Sequence, residues 1–440
     1  MAPLPSSILH GDFKPLPLWW EEAPPLPASE KPLPARAAVA IVGGGYAGLA
    51  AALALARHGL DAVVLDAALF GCGASARNAG FVGSYGNLSA RYGGGASAGD
   101  AHALRARHAE AAASADLVER LCAEEKIDCR WQPTGHLIPA WSRRHYLAMA
   151  SKVAHLNAYG PWDAALVPPD RVGEELAGTF YRGAMTIART ALIHPALYHH
   201  GLIAACARRG VVLCDGARVT KIARDGEGFR LRTTRGETAA RHVIIATNGE
   251  TGELTPQFRR RLISIGSYMI ATEELPAGTV RQLIPRGRSV FDSKRVLSYC
   301  RPSPDGRRLL FGGRVRFTMA QPEEMALPLY RQMVARFPDI DGCRISHAWM
   351  GRVAFTFDEA PHMGMMDGLH YALGCNGSGI AMMTWLGTRL GEKIAGVAHG
   401  KSAFLDGDFP SRWYYSGDPW FVPIAGQYFR LRDWLDRRGG

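Results

Sequence analysis

Residues 38–48 read AVAIVGGGYAG, and this stretch decides the fold. Ala38 to Val42 is a short, unbroken apolar run, as expected of a parallel strand covered on both faces. Gly43, Gly45 and Gly48 then fall at the G-x-G-x-x-G spacing. The first glycine lets the chain turn sharply, the second lets backbone approach a pyrophosphate, and the third lets helix lie close on strand. An Ala- and Leu-rich helix is predicted from Tyr46 to about His58, with Gly59 to end it. Its N-terminus, with unpaired N–H groups and partial positive charge, faces the phosphates. A second strand, Ala62-Val63-Val64-Leu65, ends in Asp66, about twenty residues past the fingerprint, where a carboxylate can accept ribose hydroxyls. On its own a glycine triplet is also an ordinary tight turn. Strand, glycines, helix, strand and acid in this order define a dinucleotide site.

The 440 residues leave room for two packed domains, and 47% apolar with 21% charged residues is a globular composition. No apolar run is long enough to span a bilayer, and no basic-then-apolar leader opens the sequence. Eight cysteines are scattered without a CxxC pair, so neither a disulfide framework nor a zinc site is expected; reduced thiols and a cytoplasmic location are. The net charge of +11 comes from arginines spread along the chain, apart from Arg259-Arg260-Arg261 and a basic C-terminal end. No nucleic-acid-binding motif accompanies them, so a solvated basic surface is expected and a nucleic-acid partner is not.

Organisation follows from where buried parallel runs recur. Residues 1–36 form a proline-rich arm containing Trp19-Trp20. The nucleotide domain is expected at 37–90, 191–255 and 350–400, a substrate domain at 91–190 and 256–349, and an extension at 401–440. A glycine loop at 93–95 leads into a helix from Asp100 to about Ile127, and strands are expected around Pro133-Thr134-Gly135. Helices follow from Tyr146 to Tyr159 and from His194-Pro195 to about Arg209, with proline at a favoured first helical position. Val243 to Ala246 and Tyr371 to Leu373 are further buried strands, and residues 262–354 have an antiparallel texture with a hairpin turn at Asp305-Gly306.

Four glycine-rich sites then need one ligand: the fingerprint, residues 71–80 (GCGASARNAG), residues 246–249 (ATNG) and residues 374–379 (GCNGSG). NAD would use only the first. FAD is longer, and its isoalloxazine needs a second helix N-terminus where reduced flavin carries negative charge. The strand, glycines and helix around residues 373–380 meet that need. The sequence resembles the D-amino-acid-oxidase-like FAD superfamily, and within it the γ-glutamylputrescine oxidase-like branch. The matching pieces include IVGGGYAGLAAALALARHG with Asp66, GCGASARNAGFVGS, HVIIATNGETG, YCRPSPDGRRLLFGGR, AWMGRVAFTFDEAPHMG and YALGCNGSGIAMMTWLG. The resemblance implies an α/β chain, α+β overall. A Rossmann-type FAD-binding domain would be interleaved with a mixed, largely antiparallel substrate sheet, the glutathione-reductase-like FAD fold. It also implies oxidation of the C–N bond of a small amine or amino acid to an imine, with oxygen reoxidising non-covalently held FAD to give peroxide.

Carried over by motif, Gly43, Gly45, Tyr46, Ala47 and Gly48 lie at the pyrophosphate, and Asp66 with Ala67 at the ribose. Gly73, Ala74, Ser75, Arg77, Asn78, Ala79 and Gly80 border the phosphates and flavin; Val219 packs by the adenine. Asn248 and Gly249 line the cofactor, and Asn376, Gly377, Ser378, Gly379 and Ile380 meet the pyrimidine end. Two departures stand out: the branch usually reads S-G-H-G over residues 376–379, and G-R-N-G-G over residues 76–80. Substrate-wall candidates are Tyr268, Tyr299, Arg301, Arg314 and Trp349, and an acidic group on the amine would suit either arginine. Cys300 and Cys375 are conceivable flavin-linking thiols, but covalently flavinylated relatives carry their cysteine just before the stretch matched by Thr356-Phe357-Asp358. Rival readings are a dehydrogenase of the same fold serving a quinone, a flavoprotein acting on nucleic acid, and a flavin-bound scaffold.

Overall fold

The computed structural model describes residues 8–29, 31–83, 101–316, 318–397 and 402–438. The expected 93–95 loop and the helix start at Asp100 lie outside these residues.

The runs without alternation build the middle of an eight-stranded sheet. Arg36–Val42 lies between Ala62–Leu65 and the second half of Gly236–Ile245, all parallel. Val212–Cys214 extends the sheet beyond Ala62–Leu65, and Leu369–Leu373 pairs in parallel with the last residues of Gly236–Ile245. Val39, Ile41, Val63, Val64, Val243 and Ile244 are fully buried, because helices or the second sheet cover both faces. Register places Val42 opposite Leu65 and Ile245, and Leu65 opposite Cys214. Gly43, Asp66 and Ala246 therefore leave the sheet at one carboxyl edge, where open parallel sheets bind ligands. Gly374 joins them after Leu369–Leu373. Two helices cross on one face, Tyr46–Arg57 and Gly379–Ile394. They approach backbone to backbone: a Cβ on Gly387 would stand 2.1 Å from the Ala47 carbonyl oxygen, and one on Gly391 2.6 Å from that of Ala51.

Nine strands form the second sheet, whose longest members are the antiparallel pair Leu262–Thr272 and Ile345–Thr356. Leu309–Gly313 and Ser298–Pro302 follow, joined through the turn at Asp305-Gly306. Side chains alternate here, so the two faces differ. Tyr268 and Ile270 point into a core with Leu329 and Met333 of the Pro322–Val334 helix. Met269, Ala271, Leu310 and Trp349 face the other way and pack with Trp19, Ala76 and Ala196. The proline-rich arm closes on this sheet. Leu9–Lys14 pairs in parallel with Ile345–Thr356, and Trp19, 1% exposed, fills the gap between the sheet and the fingerprint unit.

One expectation is corrected. The segment before Pro133-Thr134-Gly135 is no strand; only His136–Pro139 is, and Gln132 makes a single bridge to Leu192. Pro133 has no N–H to give a ladder, and Arg130 sits at φ +58°, which breaks extended backbone.

Candidate functional site

The site begins where the parallel strands end. Gly43 has φ +107°, and a Cβ there would lie 2.8 Å from the Ala246 carbonyl oxygen; one on Gly48 would lie 1.9 Å from that of Gly43. Only glycine permits this turn with its helix so close. Asp66 reaches back under the turn. Its Oδ2 accepts from the Gly44 N–H at 2.8 Å and its Oδ1 from the Ala68 N–H at 2.9 Å, across exposed Ala67. Burial holds the Asp66 carboxyl above its ordinary range, opposed by those N–H groups. Each oxygen still has a lone pair for a hydroxyl donor. Val219 lies in the core beneath this edge, with Val63, Leu65 and Cys214.

Residues 73–80 form a loop held by its own Ser75, Arg77 and Asn78 side chains and by Trp19, Trp349 and Arg301 from elsewhere. Ser75 Oγ accepts the Tyr46 N–H at 3.1 Å. The Asn78 amide bridges the loop, donating to the Ala74 and Ser75 carbonyls (3.2 and 2.9 Å) and accepting from the Gly80 N–H at 2.9 Å. Arg77 is committed to protein: its Nε donates to the Cys72 carbonyl at 2.7 Å, and its guanidinium lies 4.6 Å over the Trp20 ring. The indole N–H groups of Trp19 and Trp349 donate to the Asn78 and Arg77 carbonyls at 2.9 and 2.8 Å. Arg301 holds the far end. It is fully buried, and its Nη1 donates to the Ala79 and Ile193 carbonyls at 3.1 and 2.7 Å. Burial pushes its guanidinium down to about 9.

The third and fourth glycine sites are each built on an asparagine. Asn248 Oδ1 accepts from the Gly374 and Cys375 N–H groups at 3.0 and 3.3 Å, and a Cβ on its neighbour Gly249 would already meet the Arg352 side chain at 3.0 Å. Asn376 is buried at φ +46°. Its Oδ1 accepts from the Thr356 N–H at 3.0 Å and its Nδ2 donates to the Gly374 carbonyl at 2.8 Å. The loop is thus stitched to both sheets, and Gly379 and Ile380 open the helix that follows it. That helix has Ser378 at its N-cap with no side-chain bond, and the fingerprint helix has Gly45 there, also without one. The helices Arg143–Tyr159 and Pro195–Arg208 are instead capped by Ser142 and His194. Nothing described stands within 4 Å of where a Cβ would be on Gly73 or Gly377. FAD fits this edge: glycines where a side chain would collide, two helix starts without side-chain caps, a carboxylate with acceptor capacity, and space over two glycines.

The substrate-wall candidates divide. Pairing puts Tyr299 opposite Gly312, Gly312 opposite Met269, and Met269 opposite Trp349, so Tyr299 and Trp349 share the face that meets the loop. Arg301 lies on that face too, but behind Gly80 and bonded to backbone. Tyr268 points into the opposite core, where its hydroxyl accepts the Ala320 N–H at 2.8 Å. Arg314, one residue beyond the Leu309–Gly313 strand, stacks its guanidinium 4.3 Å over the Phe355 ring. It has no hydrogen bond or ion pair among the described residues. Burial lowers its guanidinium, opposed chiefly by Tyr299 and Glu359. Cys300 faces the Tyr268 core, where burial pushes its thiol up to about 12; Cys375 is buried with Sγ 3.7 Å from the Ala354 carbonyl oxygen.

Sequence reading gives no role to Gly387 or Gly391; it reads the arm as pinned by Trp19-Trp20 and His194 as a helix cap or packed side chain rather than a base. His194 Nδ1 accepts the Leu197 N–H at 3.2 Å while its ring meets Trp19 edge-on at 4.9 Å. The four-residue spacing of Gly387 and Gly391 within a helix was the available signal for a close helix crossing.

A family model described as FAD dependent oxidoreductase (DAO) matches residues 38–393. The γ-glutamylputrescine oxidoreductase of Escherichia coli (strain K12) is 29% identical over 407 residues, covering 90% of this chain and 93% of that protein. A protein of Rhizobium meliloti (strain 1021) named "Probable oxidoreductase OrdL" is 32% identical over 404 residues, 87% of this chain and 86% of that one. Among solved structures, glycine oxidase from Geobacillus kaustophilus superposes with a TM-score of 0.69 at 23% identity, covering 87% of this chain and all (100%) of that one. L-proline dehydrogenase from P. horikoshii gives 0.68 at 16%, covering 88% and 98%. With glycines, acid and loops placed as FAD requires, and a family match over most of its length, the chain belongs to the DAO family of FAD-dependent oxidoreductases.

Proposed function

We propose that this enzyme oxidises the C–N bond of a small amine bearing an acidic group, in the cytoplasm, with oxygen as electron acceptor. The observation that carries the acidic group is Arg314. A guanidinium half-buried against Phe355, with no ion pair among the described residues although Glu359 acts on it, loses part of its hydration without a matching partner. A substrate carboxylate would offset that loss with a charge-assisted, two-pronged contact. Relatives named for γ-glutamylputrescine and glycine support an amine of this kind.

We assign cofactor binding to the fingerprint, Asp66, the 73–80 loop, Asn248 with Gly249, and residues 376–380, and hold FAD there without a covalent bond. When bound, FAD supplies the acceptor for a hydride from the carbon next to nitrogen. Tyr299 contributes the apolar wall that excludes water, and Trp349 is packed behind the 73–80 loop. Tyr299 is no base: burial raises its phenol to about 12, and its hydroxyl is bonded to Ser267 at 2.9 Å. The chain's part is therefore to position a neutral amine rather than to take its proton. The L-proline dehydrogenase likeness keeps a quinone acceptor as the second reading.

Anaerobic flavin bleaching with paired amines, with and without a carboxylate, tests the substrate class. Arg314→Met should lower kcat/KM for acidic amines by about 10- to 100-fold, the scale of one hydrogen bond to a charged group, and leave acid-free amines within about twofold. Equal losses on both, or wild-type preference for acid-free amines, would refute the proposal. Peroxide formation measured beside dye reduction decides the acceptor.

A further inference from the structure

The C-terminal helix, Val422–Arg438, lies beyond the family match and is turned inside out. Its inward face is ionic. Buried Asp433 accepts from the Arg295 and Val296 N–H groups at 3.1 and 3.0 Å. Buried Asp436 pairs with Arg295 at 2.6 Å and with His145 at 3.2 Å. The Arg437 guanidinium donates to the Trp141 and Phe180 carbonyls at 2.6 and 2.7 Å.

Its outward face is apolar. Ile424, Tyr428, Leu431 and Leu435 recur at the 4-3-4 spacing of one helical stripe, with exposures from 48 to 68%, and Trp434 lies beside them. Trp420, 61% exposed, leads into the stripe and meets Tyr414 edge-on. The stripe is edged by cations: Arg432 donates to the Tyr428 hydroxyl at 3.0 Å, and Arg438 lies 3.9 Å over the Trp434 ring. Both acids of this helix point inward, so no carboxylate of its own meets those arginines.

We propose that this helix docks the enzyme on an anionic lipid surface. It lies in the headgroup plane, with Ile424, Leu431 and Leu435 toward the acyl chains, the aromatic rings at headgroup level, and Arg432 and Arg438 on lipid phosphates. A second copy packed on the same stripe would set arginine against arginine with no acid between them, whereas an anionic surface complements both edges. The helix lies on the membrane and does not cross it: no helix among the described residues is long and apolar enough to span one.

The test is flotation of the FAD-loaded enzyme with phosphatidylcholine vesicles and with phosphatidylcholine–phosphatidylglycerol vesicles. Binding is expected to the anionic vesicles, with a blue shift of tryptophan emission. The double substitution Leu431→Asp and Leu435→Asp, at exposed positions outside the active site, should weaken it at least about tenfold. Arg432→Glu with Arg438→Glu should do the same by removing preference for anionic lipid. Flavin content and turnover should stay as in wild type. Absence of wild-type binding to anionic vesicles overturns the proposal. So does equal vesicle binding by the Leu431→Asp, Leu435→Asp protein. A concentration-dependent dimer that this variant dissociates, without vesicle binding, would assign the stripe to self-association instead.

Discussion

Replacing Gly387 by alanine sets two physical effects against each other. Gly387 lies inside the Gly379–Ile394 helix, where glycine to alanine ordinarily stabilises by about 1 kcal/mol through helix propensity. Here the added Cβ would stand 2.1 Å from the Ala47 carbonyl oxygen and 2.9 Å from the Ala47 carbonyl carbon and Cα. Those are backbone atoms of the fingerprint helix, so no rotamer change relieves the contact, and the helices must separate by about an ångström. Overpacking of this kind costs about 1–3 kcal/mol, and a purely backbone clash belongs at the upper end. The net expectation is a loss of about 2 kcal/mol. Ala47 is in the first turn of the helix whose N–H groups we assign to the phosphates, so FAD affinity should fall as well, although Gly387 is not assigned to the cofactor site. Gly391→Ala, with its Cβ at 2.6 Å from the Ala51 oxygen and one turn farther along, should lose less on both counts. Urea unfolding of the apoprotein and flavin-fluorescence titration measure the two effects. A Gly387→Ala protein as stable as wild type, with an unchanged FAD dissociation constant, would show that the helices do not cross as described.

Asp66→Ala should weaken FAD binding by about 1.5–3 kcal/mol, since a charged acceptor for the ribose is lost; an unchanged dissociation constant would remove Asp66 from the site. Acid precipitation should release all flavin to the supernatant, because Cys300 faces the opposite core and no other cysteine is expected to link; colour in the pellet would point to Cys375. Six buried histidines should make stability acid-sensitive: burial lowers His136 to about 3 and His108, His194, His199, His347 and His370 to about 4. They remain neutral when folded but protonate near 6.5 when unfolded, so the stability they contribute is complete above about pH 6.5 and is lost as pH falls toward 4. Near pH 5 unfolding should take up about five protons from these groups, read from the slope of apoprotein unfolding free energy against pH. A flat profile between pH 6.5 and 4.5 would contradict their burial.

The nucleotide half was legible because its signals are local. An unbroken apolar run, three glycines, an Ala-rich helix and an acid at fixed spacing agree, taken together, on one kind of backbone, and the strands Arg36–Val42 and Ala62–Leu65 follow. The substrate face was not, because it depends on sheet register. Tyr268 and Tyr299 look alike in sequence, yet pairing through Gly312 and Gly313 turns one into a core and the other toward the loop. Arg301 and Arg314 also look alike. Only the packed chain decides that Arg301 Nη1 is spent on the Ala79 and Ile193 carbonyls, from segments 222 and 108 residues away, while Arg314 has no such partner. The inverted C-terminal helix shows the same limit: sequence reading gives only an extension at 401–440, and tertiary contacts choose which face of its helix is buried. Arg295 and His145 draw the aspartates inward and leave the apolar stripe outside.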